Sequence, residues 1–307
     1  MNRNRLDLQD DVWSEWLLHR RHADNSAYER LVRAAIEGFA DRVLDRAQLA
    51  CGMTLVDIGA GDGLVAFGAI DRIGASLSVV LTDISVPMLR HAEALATARG
   101  VRQQCTFLEC SAVNLESIPD GSADVVTTRA VLAYVSDKCA ALREFHRILK
   151  PGGRLSIGEP IFRDDAFEAV ALRKIIDVTP PESQDRFLPL LHRWRAAQFP
   201  DTEEQMAQSP IANYSERDLA GFVYGSGFAE VHLEFRMDII PSLITTWDVF
   251  LGSSPHPWAP SVADILAEQF TPDERQLFEQ VLRSTVENGQ LTSTDRTAYV
   301  TAIKPKM

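Results

Sequence analysis

Short apolar, β-branched runs alternate with segments of helical spacing between residues 54 and 160. The runs predict strands, and most of the segments between them predict amphipathic helices. A strand, a helix and a further parallel strand form a right-handed crossover, and repeated crossovers give a parallel sheet with helices on both faces. The alternation therefore predicts an α/β fold built on a doubly wound, mostly parallel sheet.

Polar residues and glycines follow these strands at the points where the strands end. Ligands of such sheets bind beyond the carboxyl ends of the strands, near the point where the strand order reverses. We therefore expect these residues to converge on one edge. They are Asp57, Gly59, Gly61, Gly63, Asp83, Arg129 and Glu159.

The stretch TLVDIGAGDGL, residues 54 to 64, places an acid before a glycine-rich loop. Glycines let a ligand approach the backbone closely. Nicotinamide-binding loops usually have an apolar residue at the position of Asp57, and a second acid, Asp62, would repel a diphosphate. We interpret the loop as a site for a cationic or zwitterionic ligand whose ammonium group is bound by Asp57. The alternative is that Asp57 only caps the amides of its own loop.

Asp83 ends the second predicted strand, 20 residues after Gly63. An acid at this position can accept hydrogen bonds from both hydroxyl groups of a ribose. The alternative is an acid that only stabilises the N-terminus of the helix that follows it.

Four motifs, in this order, make the chain similar to the class I S-adenosylmethionine-dependent methyltransferases, in the broad group of the ubiquinone and menaquinone methyltransferases. The motifs are VDIGAGDG, LTDIS, DVVTTRAVLAYV and LKPGGRLSI, and they cover roughly residues 50 to 160. The resemblance implies a Rossmann-like, seven-stranded, mostly parallel sheet with N-terminal helices and a helical lid inserted after the fifth strand.

The same resemblance implies how S-adenosylmethionine would be bound. The methionine amino group would lie against Asp57 and the glycine loop, and the ribose against Asp83. Ser111 stands where the family usually has an acid, and it can accept one hydrogen bond from the adenine amine. The implied cofactor-binding residues are Asp57, Gly59, Ala60, Gly61, Asp83, Ile84, Met88, Ser111, Ala112 and Arg129.

Two residues are candidates for the transfer chemistry. Glu159 ends the fifth strand and could act as a base or hold an amine or hydroxyl group; the alternative is a capping or salt-bridged carboxylate. Tyr134 lies one turn past the fourth strand, near the expected methyl group; its alternative is core packing. A sulfonium methyl is already activated, so a base is needed only if the acceptor must lose a proton.

Aromatic and basic segments outside the motifs are the candidates for acceptor binding. The segment WSEWLLHRRHADNSAY could cover the cofactor, and RFLPLLHRWRAAQF could receive a flat or anionic substrate. The alternatives are a helix that docks its aromatic face and a helix whose basic face is solvated. The predicted substrate-binding residues are Trp16, His22, Tyr28, His192, Trp194, Tyr214 and Trp247.

The whole chain divides into four predicted parts. Residues 1–50 form an N-terminal helical cap, and residues 51–160 form the cofactor-binding core. Residues 161–228 form a helical substrate lid. Residues 229–307 return to the core sheet and carry a helical insertion at about 241–294.

The charge and composition of the chain limit the classes of partner that it could bind. The net charge of −12 argues against nucleic acid, and no apolar run approaches the ~18 residues of a membrane span. The first residues lack the apolar stretch of a signal peptide, and the four cysteines at unrelated spacings fit a reducing cytoplasm.

No metal site is expected, because Arg129 occupies the strand end where metal-dependent family members carry carboxylates. A monomer or a homodimer is expected.

The sequence thus predicts an S-adenosylmethionine-dependent methyltransferase that methylates an O, N or C atom of a small molecule by in-line displacement. Because 147 residues follow Pro160, they could enclose a modest apolar acceptor, such as a specialised metabolite or a quinone- or isoprenoid-like compound. Two alternatives stay open: a non-catalytic or regulatory protein that binds the same cofactor, and a nicotinamide-dependent oxidoreductase.

Overall fold

The computed structural model describes residues 11–183 and 185–306. Residues 1–10 of the predicted N-terminal cap lie outside the described part. The cap begins with helix α1 (Val12–Leu18), continues as a short 3-10 turn (Arg20–His22), and ends with helix α2 (Ser26–Ala47). The predicted N-terminal cap is thus not continuously helical: the chain turns near residues 19–25, where Ala23 and Asp24 adopt left-handed φ angles of 52° and 49°.

Seven strands form one sheet in the order β3-β2-β1-β4-β5-β7-β6. Only β7 runs antiparallel to its neighbours, β5 and β6. This arrangement confirms the predicted doubly wound, seven-stranded and mostly parallel sheet. The strands are β1 Thr54–Ile58, β2 Ser78–Asp83, β3 Cys105–Glu109, β4 Ala123–Arg129, β5 Leu149–Pro160, β6 Ala229–Pro241 and β7 Thr292–Ile303.

The two faces of the sheet carry separate apolar cores. Successive residues of a strand point to opposite faces, so Leu55 and Val56 of β1 are both buried but in different clusters. On the Leu55 face pack α2 and two further helices, α3 (Leu64–Ile73) and α4 (Val86–Ala98). The Val56 face is covered by α5 (Lys138–Ile148) and α9 (Glu216–Gly225).

Side-chain caps fix the starts of several helices. The Ser85 hydroxyl accepts a hydrogen bond from the Met88 amide at the start of α4. Ser215 and Asp218 form a reciprocal capping box at α9, and Thr271 and Glu274 form another at α12 (Pro272–Glu287). These caps join residues three apart, so they depend on short stretches of sequence.

Two helical excursions leave the sheet on the side of the strand carboxyl ends. The first follows β5 and contains α6 (Arg163–Val178), α7 (Leu188–Gln198) and α8 (Glu203–Gln208). The second lies between β6 and β7 and contains α10 (Trp247–Gly252), α11 (Val262–Gln269) and α12. Side chains of α7, α10, α11 and α12 share one apolar cluster, so the two excursions pack together. By contrast α9, within the predicted lid range, packs on the sheet.

Among the described residues, none of the helices combines the length and the apolar character that crossing a membrane requires.

Candidate functional site

A cavity of about 1440 Å³ lies beyond the carboxyl ends of β1, β2 and β4. This is the edge at which the topology places a ligand, since β1 has β2 on one side and β4 on the other. Helices α1 and α2 form one wall, and α7 with the chain between residues 240 and 262 forms another. The cavity is large enough for a nucleoside and a second small molecule together.

Asp57 lies one residue before the end of β1 and is buried. Its Oδ1 accepts a hydrogen bond of 2.8 Å from the Thr127 hydroxyl. Its Oδ2 is buried and has no hydrogen-bond partner within the described part of the chain. Burial raises the pKa of Asp57 to about 7. An unpartnered carboxylate oxygen in this position suits a cationic donor.

The glycine loop packs closely against its neighbours. Gly59 has a φ of +63°, and a Cβ atom built on it would lie 2.5 Å from a methyl carbon of Val131. The Gly61 amide donates to Asp83 Oδ2 at 2.9 Å, which joins the loop to the end of β2. Glycine is therefore required at residue 59 for both space and backbone conformation.

Substitution of Gly59 by alanine is expected to lower the free energy of unfolding by about 1–3 kcal/mol, because strain and a steric clash act together. Urea unfolding would measure this loss. Gly121→Ala is the matched control, since Gly121 has a similar φ of +60° but no atom within 4 Å of a built Cβ. Equal losses in the two variants would show that the contact with Val131 is unimportant.

Asp83 lies at the cavity surface, and both of its carboxylate oxygens accept hydrogen bonds. Its Oδ1 accepts a hydrogen bond from the Ser85 amide at 2.9 Å, while Oδ2 accepts the one from Gly61. Each carboxylate oxygen can accept a second hydrogen bond, so the side chain is oriented but still able to bind a ligand. Burial raises the pKa of Asp83.

The structure brings many of the predicted site residues together around this one cavity. The predicted residues that line it are Trp16, Tyr28, Gly59, Gly61, Asp83, Ile84, Ser111, Ala112, Arg129, Tyr134 and Trp194. Those that do not line it are His22, Asp57, Ala60, Met88, Glu159, His192, Tyr214 and Trp247.

Four of the residues that do not line the cavity have packing partners of their own. His192 hydrogen-bonds Asp201 at 3.0 Å, and Trp247 stacks on Phe250 within the cluster shared by the excursions. The Tyr214 hydroxyl donates to the carbonyl of Pro160 at 2.8 Å. Met88 is fully buried. For these side chains the structure shows core or surface contacts.

Glu159 is fully buried and its carboxylate is occupied by hydrogen bonds. Oε1 accepts from the Thr128 hydroxyl at 2.7 Å. Oε2 accepts from the amides of Val131 and Ala133, at 2.9 and 3.1 Å. Burial raises the pKa of Glu159. This geometry favours the capping alternative over an accessible base.

Tyr134 belongs to an aromatic group at the cavity wall. Its ring lies 5.2 Å from Trp13 and 5.4 Å from Trp258, in edge-to-face contacts, and 6.4 Å from Phe162. Burial raises the pKa of its hydroxyl. That hydroxyl has no hydrogen-bond partner among residues 11–183 and 185–306. The group is therefore largely apolar, and its polar atoms are the Tyr134 hydroxyl and the indole nitrogens of Trp13 and Trp258.

Several cavity residues were missed by the sequence interpretation. Arg21 lines the cavity, although the predicted N-terminal candidates are aromatic residues and a histidine. Arg296 was also missed, whereas Arg195 belongs to the basic segment predicted to receive a substrate. Both line the cavity and pair with the acids that begin α6: Arg195 Nη2 lies 3.2 Å from Asp165, and Arg296 Nε lies 2.9 Å from Asp164. Their only signal in the sequence is a high density of charge, which does not identify pairs.

The described residues contain no group of three or more His, Cys, Asp or Glu side chains arranged to hold a metal ion.

Residues 56–157 match a family model described as a methyltransferase domain. A ubiquinone/menaquinone biosynthesis C-methyltransferase, UbiE of Xanthomonas oryzae pv. oryzae, is 31% identical over 188 residues, 61% of this chain and 70% of that protein. Nocamycin O-methyltransferase of Saccharothrix syringae is 33% identical over 148 residues, 47% of this chain and 52% of that protein. The chain thus spans about half of one relative and over two thirds of the other.

The YcgJ protein of Bacillus subtilis is a solved structure with the same fold. It superposes with a TM-score of 0.54 and 19% sequence identity, over 88% of this chain and 99% of that chain. At this identity the likeness shows the fold alone.

Proposed function

We propose, on the premise that this chain belongs to the class I S-adenosylmethionine-dependent methyltransferases, that it methylates a small, largely apolar acceptor held in the aromatic part of its cavity. The observation that carries the proposal is a single cavity with two unlike regions. One region is formed by the strand ends with their acids and glycines, and the other is formed by aromatic side chains.

The residues at the strand ends fit S-adenosylmethionine. The unpartnered, buried Oδ2 of Asp57 suits an ammonium group. The close packing of Val131 on Gly59 leaves no room for a side chain at residue 59. Asp83 would bind the ribose hydroxyls, and Ile84 with Ser111 and Ala112 would contact adenine. When bound, the cofactor supplies a methyl group already activated by its positive sulfur.

The aromatic part of the cavity supports a flat or apolar acceptor. Trp13, Trp16, Tyr134, Phe162 and Phe199 line it. Stacked and edge-to-face aromatic contacts would hold such a molecule and exclude water. One relative is named for ubiquinone and menaquinone biosynthesis and another for nocamycin. We infer an acceptor of the quinone or specialised-metabolite class, methylated on carbon or oxygen.

A cover over the cavity would enclose this acceptor. The Trp16 indole donates to the Ser254 carbonyl at 3.3 Å, and Arg20 donates to the Ala259 carbonyl at 2.9 Å. These bonds join the N-terminal segment to the second excursion above the cavity. We propose that this segment and the two excursions act as a lid for small acceptors, in a protein that works as a monomer or homodimer and does not act on nucleic acid.

The proposed function is tested by incubating the chain with methyl-labelled S-adenosylmethionine and a panel of demethylated quinones and aromatic polyketides. Mass spectrometry would detect the methylated product. Label transfer to at least one small molecule is the expected result. Tight binding of S-adenosylhomocysteine without transfer to any of them would favour the alternative of a non-catalytic cofactor-binding protein.

Tyr134→Phe is expected to lower turnover about 10-fold while the affinity for S-adenosylhomocysteine stays within about twofold. The Tyr134 hydroxyl would orient the acceptor by a hydrogen bond, because its raised pKa makes it a poor base. Turnover and calorimetric titration measure the two quantities. Tyr224→Phe is the control, since Tyr224 is 73% exposed. Unchanged turnover in Tyr134→Phe would leave Tyr134 as packing alone.

A further inference from the structure

We propose that the open edge of the sheet joins two copies of this chain into a homodimer, through antiparallel pairing of β6 with β6 of the second copy. The contact surface consists of Phe235, Met237 and Ile239 of β6 together with Phe167 of α6, and we call it the β6 surface. The inference concerns assembly, so it does not rest on the proposed function.

Strand β6 lies at one edge of the sheet. It is last in the strand order, and within the described residues its one strand neighbour is β7. An edge strand has unpaired amides and carbonyls along its outer side, and natural proteins usually protect such edges with lysine, proline or a bulge. Residues 232–240 contain neither lysine nor proline, and their register with β7 is regular. This part of the edge is therefore suited to pairing with another strand.

One face of this edge is apolar and exposed. Phe235, Met237 and Ile239 alternate along β6 and therefore point to the same face of the sheet. Leu233, earlier on that face, packs on the buried core, whereas Met237 and Ile239 are 53% and 66% exposed. Three neighbouring exposed apolar side chains form a surface of the kind that mediates contacts between proteins.

Helix α6 extends this apolar face. Met237 is in register with Arg296 of β7, so the two side chains share one face of the sheet. Arg296 lies within ion-pair distance of Asp164 and Glu168 on α6. Phe167, which lies between these two acids in the sequence, is also exposed. The exposed apolar residues of β6 and α6 are therefore on the same side of the sheet.

A second copy of β6 is complementary to this edge. In an antiparallel pair, opposite residues lie on the same face, so the exposed apolar residues of one strand must lie opposite those of the other. A two-fold axis at Met237 meets this condition. It places Met237 opposite Met237 of the second copy and Phe235 opposite Ile239, so that every exposed apolar residue of β6 on this face gains an apolar neighbour.

The charged face of β6 supports the same register. Arg236 and Asp238 form an ion pair within the chain and point to the other face of the strand. With the axis at Met237, Arg236 of each copy lies opposite Asp238 of the other, which gives opposite charges across the interface. An axis at Arg236 or at Asp238 would place like charges opposite each other. Because Arg236 and Asp238 also line the cavity, the second copy would stand beside the cavity wall.

Cysteine substitution in the full chain tests this register. Met237→Cys and Ile239→Cys are made in a Cys51→Ser background, because Cys51 is exposed. With the axis at Met237, the two cysteines at residue 237 lie opposite each other, within the ~4.4–6.8 Å between Cα atoms that a disulfide spans. The two cysteines at residue 239 lie four residues apart along the strands, roughly 14 Å. Mild oxidation should cross-link Met237→Cys at least about 10-fold more than Ile239→Cys on a non-reducing gel.

Sedimentation velocity over a range of concentrations measures the assembly itself. Wild type is expected to form a dimer. Met237→Lys, folded by circular dichroism, should raise the dissociation constant at least about 10-fold, because two like charges meet at the axis. Val178→Lys is the matched control, since Val178 is 79% exposed at the C-terminal end of α6, outside the β6 surface. R236D and D238R should each weaken the dimer, and the double variant should restore it by exchanging the charges.

Three results would overturn the inference. A wild-type chain that sediments as a monomer at every concentration would show that the β6 edge does not bind a second copy. Equal cross-linking at residues 237 and 239, or a dimer that is unaffected by Met237→Lys, would place the contact between copies on another surface. A monomer that still transfers the labelled methyl group would contradict this inference and leave the proposed function intact.

Discussion

Asp57→Asn is expected to weaken the binding of S-adenosylhomocysteine roughly 10- to 100-fold, because the variant loses the charge that attracts the ammonium group. The same substitution should change how stability depends on pH. In the ligand-free protein the Asp57 carboxylate is buried, and its Oδ2 has no partner among the described residues. The residue would therefore cost stability in the free protein and contribute affinity in the complex.

The pH dependence of stability follows from the direction in which folding shifts the pKa of Asp57. The pKa of Asp57 is raised from 3.8 to about 7, so between these values the folded protein holds a proton that the unfolded chain has lost. The free energy of unfolding must then fall as the pH rises through this window, and the loss is complete above about pH 7. Ligand affinity should change in the opposite direction, since only the ionised carboxylate can pair with ammonium.

Urea unfolding and calorimetry between pH 4 and pH 9 would measure both effects. Relative to wild type, Asp57→Asn should gain stability as the pH rises from 4 to 7, and its affinity should vary less with pH. Asp71→Asn is the control, because Asp71 is an exposed acid on α3 that pairs with Arg99. If the variant bound S-adenosylhomocysteine as tightly as wild type, Asp57 would have no place in the site.

The sheet and its functional edge are predictable from the sequence because their determinants are local. Asp57 and Asp83 each follow a buried apolar run, and a parallel sheet must bring the carboxyl ends of such runs to one edge. The caps at Ser85, Ser215 and Thr271 involve partners three residues away. Patterns of this range are contained in short sequence windows.

Other features of the fold and the site depend on contacts between distant parts of the chain, and the sequence does not reveal them. Nothing in the segment HRRH separates Arg20, which binds the Ala259 carbonyl, from Arg21, which faces the cavity, because the difference depends on the rotation of the 3-10 turn. The break before α2 has a local signal that the interpretation did not use, since Asn25 caps α2 by accepting hydrogen bonds from the amides of Ala27 and Tyr28. Ala23 and Asp24 adopt left-handed φ angles there without a glycine or proline.

Glu159 shows how a distant partner changes the interpretation of a residue. At the end of a strand beside a cofactor site, a glutamate is a reasonable candidate for a base. Its three hydrogen-bond donors lie 26 to 31 residues earlier in the chain, and they hold the carboxylate against the loop that follows β4. The loop carries Val131, which also packs on Gly59. We infer that Glu159 stabilises the floor of the site and takes no part in the chemistry.

A pair of substitutions at Glu159 separates these roles. Glu159→Ala would leave the Thr128 hydroxyl and the amides of Val131 and Ala133 without their acceptor. We expect the free energy of unfolding to fall by at least about 3 kcal/mol, since each unpaired donor costs ~1–3 kcal/mol. Glu159→Gln should cost less than about 1 kcal/mol. Its amide oxygen can accept from both backbone amides, while its NH₂ donates to the Thr128 hydroxyl, which can turn to accept.

Glu159→Gln is therefore the variant that tests catalysis, because it keeps the loop in place and removes the basic carboxylate. With the acceptor found by the transfer screen, we expect its turnover to stay within about threefold of wild type, since a residue that acts only as a cap is not needed as a base. A base in the same position would contribute roughly 100- to 10,000-fold. The opposite result would be a Glu159→Gln protein that is well folded and binds S-adenosylhomocysteine normally but loses turnover on that scale. This result would show that Glu159 is a catalytic residue.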